Sequence, residues 1–289
     1  MRRGLCALAR RRHRQAAVSF VRSKPRCALH WIGIGCIACD AGRAIEGLIP
    51  GEKAVPSITW ASGTNYLLQA LPRRDLGRML AACDTVQLAV ADVLYSPGGR
   101  LQDVFFPVSG FISLIMEVDD RSSLEVGLVG NEGMFGIPLV LGVDVSPLRA
   151  VVQGPGSALR MGAAQFHREL ERSQPLRHEI GRYVCVCMTQ LAQISACTRF
   201  HVVEARLARW LLMTQDRAGA NTFHVTQELL ALMLGVRRVG VTKAAASLQQ
   251  RSLIRYRRGN ITVVDRKGLK AASCGCYVAD RMSYDRLLG

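Results

Sequence analysis

No stretch of about 18 uncharged apolar residues occurs anywhere in the chain, so no segment reads as a membrane-spanning helix. The best candidate, Cys27 to Cys39, is 13 positions long and contains His30. Acidic residues are scarce, 22 against 38 Lys and Arg, which leaves a net charge of +16. The pattern of a secretory signal peptide is also missing, and the chain is long enough to bury a core without staples, so its ten cysteines are expected as thiols in a reducing cytosol. Signatures of catalysis are lacking too. There is no Walker sequence, no Ser/His/Asp set in local context, and the run GLVGNEGMFG (127–136) sits among strand-like alternation rather than opening a helix. The chain is therefore expected not to be an enzyme.

Metal sites are not expected either. The histidines, at 13, 30, 167, 178, 201 and 224, form no i, i+4 pair. Cys185-x-Cys187 and Cys274-x-Cys276 are one residue tighter than the usual zinc spacing, with no histidine close by in sequence. Cys27, Cys36, Cys39 and Cys83 are spaced wrongly for an iron–sulfur cluster.

The positive charge that is present is segregated. Residues 226–289 carry 12 Lys and Arg against 4 Asp and Glu, residues 61–225 carry 15 against 15, and residues 1–60 carry 11 against 3. A neutral middle followed by a basic C-terminal part is the electrostatic footprint of a polyanion binder. Residues 1–61, beginning MRRGLCALARRRHRQ, read as a basic, disordered extension without an assigned function.

Periodicity divides the remainder. A short helix after Asn65 leads into segments that alternate at period two (Val86, Leu88, Val90), broken by SPGG at 96–99 and by further Gly and Pro, which predicts a β-roll or jelly roll over 62–172. Residues 173–198 turn helical: Ile180, Val184, Cys187, Leu191 and Ile194 recur at 4, 3, 4, 3, a heptad seam that calls for a second helix, most simply the same helix of a second chain. A further helix over 201–217 puts Val203, Leu207, Trp210 and Leu211 on one face.

The C-terminal segment 199–289 holds the most specific pattern. Thr226 is placed to cap a helix whose apolar side is Leu229, Leu232 and Met233, and Gly235 permits a tight turn. A second helix starts at Arg237 or Arg238, with Val241, Ala244, Ala245 and Leu248 at i, i+3, i+4 and i+7. Arg238, Val239, Thr242, Lys243 and Ala246 fall on its opposite side. Such a helix–turn–helix projects its second helix into a DNA major groove. The following SLIRYRRGNITVVD (252–265) reads as a β-hairpin wing around Arg258-Gly259-Asn260, with Arg255, Arg257 and Arg258 set for phosphates. The expected DNA-contacting set is Thr226, Gln227, Arg237, Arg238, Val239, Gly240, Thr242, Lys243, Arg257 and Arg258. The competing reading is a ligand- or partner-binding β-roll whose basic tail holds nucleic acid without sequence preference.

With roll, long helix and winged helix–turn–helix in that order, residues 62–289 resemble the Crp/Fnr (catabolite-activator) family of bacterial transcription regulators. LYSPGG, VFFPVSGFISL, VGNEGMFGIPLVLG, SPLRAVVQ and TQELLALMLGVRRVGVTKA carry the resemblance. It implies an α+β fold with a cyclic-nucleotide-binding-like sensor, a homodimer held by the long helix, a near-palindromic double-stranded DNA site, contact with RNA polymerase, and a cytoplasmic location. It also implies an effector pocket around Gly133, Met134, Phe135, Gly136, Arg149 and Ala150. Two departures bear on the effector. Met134 stands where cyclic-nucleotide binders of the family place a ribose-binding Glu, and Ala150 follows Arg149 where they place a Ser, so cyclic AMP is not the expected ligand and no cofactor is assigned. Arg237-Arg238-Val239 replaces the Ser-Arg-Glu of many relatives, which removes an acceptor for cytosine amino groups and predicts a different preferred site.

Overall fold

The computed structural model describes residues 63–119 and 122–288. The basic extension expected over 1–61 lies outside the described residues. Two short helices, α1 (Tyr66–Gln69) and α2 (Arg73–Ala81), lead into β1 (Asp84–Leu88), β2 (Val93–Tyr95), β3 (Asp103–Asp119) and β4 (Ser122–Val129). A helical turn, α3 (Ile137–Val140), precedes β5 (Arg149–Gly162) and α4 (Ala163–Arg172). The long helix α5 (Gln174–Phe200) is followed by α6 (Val203–Ala218), β6 (Thr222–His224), α7 (Gln227–Leu234), α8 (Arg238–Gln250), β7 (Ile254–Arg257), β8 (Asn260–Val263), α9 (Arg266–Ala272) and α10 (Cys276–Leu288). Among the described residues no helix is long and apolar enough to cross a membrane.

The first sheet is antiparallel, in the order β1-β5-β3-β4 with β2 also paired to β5. Register shifts between Pro107 and Ser109, and again between Phe111 and Ile112, let the two long strands β3 and β5 bend over themselves, so that one sheet encloses its own core. That core holds Val104, Phe106, Ile112, Met161 and Phe166, with Leu176, Ile180 and Tyr183 of α5 completing it. The second sheet, β6-β8-β7, is the wing with an added strand. β6 was absent from the sequence reading because three residues are too short to show alternation.

α5 begins where expected: Ser173 caps it, its hydroxyl accepting from the Leu176 amide at 3.1 Å. Its buried stripe, however, is Leu176, Ile180, Tyr183, Val186, Gln190 and Cys197. The heptad seam is therefore corrected. Ile180 is fully buried in its own chain, Val184 and Cys187 pack against the same core, and Leu191 is exposed. A 4, 3 repeat marks an apolar face but does not say which neighbour covers it, and here the roll covers half of it.

Buried polar groups join the roll to the C-terminal half. Arg217 of α6 pairs with Glu132 at 2.7 Å, both nearly inaccessible. Glu125 of β4 accepts from the Ser113 hydroxyl at 2.6 Å and from the Trp210 indole at 2.7 Å. Burial raises the Glu125 carboxyl from 4.5 to about 7, the two hydrogen bonds opposing the shift. A carboxyl raised on folding favours the native state at low pH, and this contribution is lost as pH rises from 4.5 through about 7. Glu125→Gln should therefore flatten the pH dependence of thermal stability over that window, removing a decline on the order of 3 kcal/mol. Identical melting profiles for the two proteins across the window would show that Glu125 is ionised in the native state throughout.

Candidate DNA interface and sensor cavity

Thr226 caps α7, its hydroxyl accepting from the Leu229 amide at 3.2 Å. The helix buries Leu230, Met233 and Leu234, whereas Leu232 is exposed and Leu229 half-buried. The expected apolar side was thus rotated by about one residue. An eight-residue helix spans barely two turns, so its apolar stripe is poorly determined by spacing. Gly235 ends α7 with φ +59°, a left-handed conformation that costs a side-chain-bearing residue about 1–2 kcal/mol, and a Cβ there would lie 3.0 Å from Leu124 of the roll.

α8 follows, opened by Arg237 as its N-cap residue. Val241, Ala244, Ala245 and Leu248 are its buried residues, and Arg238, Val239, Thr242, Lys243 and Ala246 are exposed. The two small alanines face α6 and α7, which is why the pair packs closely without covering the charged side. Gln227 is tied into the same surface: the Thr242 hydroxyl donates to its side-chain oxygen at 2.9 Å. Arg238 is held by Glu228 at 2.7 Å, and both are about 60% exposed (64% and 60%). A pair so open to water is worth less than about 1 kcal/mol, so the guanidinium is preset in direction yet cheap to release to a stronger partner.

The wing turns at Arg258 and Gly259, both with positive φ (51° and 77°), between the paired residues Arg257 and Asn260. This is the geometry of a two-residue hairpin loop matched to strand twist. Arg255, Arg257 and Arg258 are exposed along it. An open cleft of about 420 Å³ brings Thr226, Gln227 and Arg238 together with Arg258 at the wing tip. Three further residues line it that sequence reasoning did not single out, His224, Glu228 and Tyr256. Tyr256 donates its hydroxyl to the Val225 carbonyl at 2.8 Å and its backbone amide to the Gln249 side-chain oxygen at 2.7 Å, so it locks the wing against α8. Its place between two arginines in an alternating strand was the available signal.

The roll contains an apolar cavity of about 180 Å³, closed on one side by Tyr183, Cys187, Gln190 and Leu191 of α5. Met134, Phe135 and Gly136 line it. Gly133, Arg149 and Ala150 do not. Gly133 is where the Tyr183 ring approaches the backbone, leaving a would-be Cβ 2.1 Å from the phenol oxygen. Ala150 is buried in the sheet core. Arg149 pairs with Glu117 at 3.3 Å and lines a separate cavity of about 350 Å³ that also touches Trp210 and His224. Among the described residues, no Lys, Arg, Asp or Glu lines the 180 Å³ cavity.

The fold also overturns one premise about the cysteines. His201, distant from any cysteine pair in sequence, lies with Nδ1 3.4 Å from the Cys276 sulfur.

Residues 205–272 match the Crp-like helix-turn-helix domain. Among solved structures, a transcriptional regulator of the crp/fnr family from Eubacterium rectale is similar at a TM-score of 0.58 and 16% identity, covering 72% of this chain and 98% of that one. The c-di-GMP responsive global regulator CLP of Xanthomonas campestris gives 0.56 and 18%, covering 66% and 99%. FixK2 from Bradyrhizobium japonicum gives 0.57 and 13%, covering 66% and 98%. None of the curated proteins matches. At these identities the structural likeness speaks for the fold.

Proposed function

We propose that this chain is a transcription regulator of the Crp/Fnr type, acting as a homodimer on a near-palindromic double-stranded DNA site. The sensor would occupy 62–172, the dimerisation helix 173–198 and the reading head 199–289. The observation that carries this is the exposed side of α8, where Arg238, Val239, Thr242 and Lys243 face solvent, with Arg238 sharing an open cleft with Arg258 of the basic wing. Arg238 is the base reader, since a guanidinium can hydrogen-bond O6 and N7 of one guanine together. Arg257 and Arg258 hold phosphates. Gly240 supports close approach: a Cβ there would meet only Val203, at 4.0 Å, so the fold itself does not need a glycine at this exposed first turn. RNA polymerase is the expected protein partner and the cytoplasm the expected location. No catalytic step belongs to this reading.

The dimer face follows from the corrected seam. On α5 the exposed side carries Gly181, Cys185, Met188, Leu191, Ala192 and Ser195, again spaced by threes and fours. Met188 is 65% and Leu191 46% exposed, which is costly for apolar side chains on an isolated helix and natural against a two-fold mate. The sensor's ligand is apolar or only weakly polar, because a cyclic nucleotide's phosphate would find no cation in the 180 Å³ cavity.

Four results are expected. Selection from random DNA should return a two-fold site. On that site Arg238→Ala should cost about 1–3 kcal/mol and relax one base pair per half-site, whereas Arg258→Ala should weaken all sequences alike and make the salt slope shallower by about one unit. Uniform loss for Arg238→Ala, or selection without any consensus, would support the non-specific alternative. Met188→Glu and Leu191→Glu should each convert the protein to monomers by light scattering, since like charges would meet in an apolar interface. An unchanged dimer would move the interface off α5. Calorimetric titration with cyclic AMP should give no saturable heat, and micromolar binding would refute the account of the cavity.

A further inference from the structure

Four side chains with metal-ligating atoms meet where α5 ends. Cys197 lies in the last turn of α5, His201 is its C-cap residue, Cys274 sits between α9 and α10, and Cys276 is the first residue of α10. Their ligand atoms all lie within 4.8 Å of one another. The Cys197 and Cys274 sulfurs are 3.6 Å apart, and the Cys276 sulfur is 3.4 Å from Nδ1 of His201. A tetrahedral ion with bonds of about 2.3 Å to sulfur and about 2.0–2.1 Å to nitrogen separates two sulfurs by about 3.8 Å and a sulfur from a nitrogen by about 3.6 Å. The observed separations differ from these by only a few tenths of an ångström. They are far from the sulfur–sulfur bond of about 2.05 Å that a disulfide needs.

The surroundings suit a cation bound by thiolates. The three cysteines are buried and His201 is exposed, which leaves a closed sulfur side and a way in from solvent. The Gln193 amide donates to the Cys276 sulfur at 2.9 Å, an outer partner of the sort that orients a ligand. Arg209, paired with Asp280 at 3.0 Å, and Arg206 are close enough to feel the charge of Cys197. Three thiolates and a neutral imidazole around a divalent ion carry one net negative charge, which these guanidiniums offset. A mixed sulfur and nitrogen set at tetrahedral spacing selects zinc over the oxygen-seeking cations.

We propose that Cys197, His201, Cys274 and Cys276 form a tetrahedral zinc site that ties the start of α10 to the turn between α5 and α6. Each thiol loses its proton to solvent as its bond to the metal forms, and no electrons change hands. The ion links three elements across nearly 80 residues of sequence. It fixes the direction in which α6, and with it α7 and α8, leaves the long helix. Metal binding is then part of the folding free energy of the C-terminal half. The inference is independent of DNA reading, because a site can hold zinc whatever α8 contacts.

The test uses the full chain, untagged and purified under reducing conditions without chelator. Elemental analysis should find one zinc per chain, and stripped protein should take up one cobalt(II) with the visible spectrum of tetrahedral sulfur coordination. The Cys274→Ser, Cys276→Ser double variant should lose the metal and the spectrum. His201→Cys should keep both, since it replaces one ligand with another, and Cys83→Ser should behave as wild type. Gln193→Ala should weaken zinc affinity roughly 10–100-fold while circular dichroism shows an unchanged fold. A metal-free protein that takes up neither ion, a Cys197–Cys274 disulfide formed under reducing conditions, or a double variant that retains its metal would each overturn the proposal. In the last case the metal sits elsewhere in the chain. A double variant that failed to fold would leave the decision to wild-type stoichiometry, the cobalt spectrum and His201→Cys.

Discussion

The pairing of Arg217 with Glu132 is the contact on which the arrangement of the two halves depends. A guanidinium on α6 and a carboxylate from the turn after β4 are both withdrawn from water, so neither can leave without stranding the other. Breaking a buried pair by removing one partner typically costs about 3–5 kcal/mol, even where the pair itself adds little over an apolar substitute. Its value is in direction rather than strength. Tyr284 of α10 donates toward the same carboxylate at 3.4 Å and accepts from Gln190 of α5 at 2.8 Å, so roll, long helix and C-terminal helix converge there.

Since α6 is held in this way, α7 and α8 inherit its orientation. Leu207, Leu211 and Leu212 of α6 share one core with Val241, Ala245 and Leu248 of α8 and with Ile254 and Ile261 of the wing. Ile115 of the roll belongs to the same core. The roll and the C-terminal half thus share one packed core. The 180 Å³ cavity shares its wall with α5 through Tyr183, Cys187 and Gln190, so an occupant would bear directly on the helix that also carries the exposed apolar face.

Local pattern was enough wherever an element's partners are its own sequence neighbours. The α7–α8 pair, the buried side of α8, the hairpin at Arg258-Gly259 and the cap at Thr226 were legible because turn chemistry and a four-residue apolar repeat act within about 25 residues. The side of α5 that faces its own roll was not, because a heptad reports an apolar stripe and Ile180 and Leu191 look alike within it. Arg149 shows the same limit. Its motif matched, but its side chain ended in another cavity, paired with Glu117.

By itself the sequence determined the order of roll, long helix and winged head and the placing of charge on the exposed side of α8. These follow from periodicity, capping and residue chemistry, which are local. Only the tertiary structure decided which face of α5 is covered, where Arg149 points, and that His201 joins Cys197, Cys274 and Cys276. Each of those is a meeting of residues distant in the chain, set by how α5, α6 and α10 pack on the roll, and sequence spacing carries no record of a distance closed by folding.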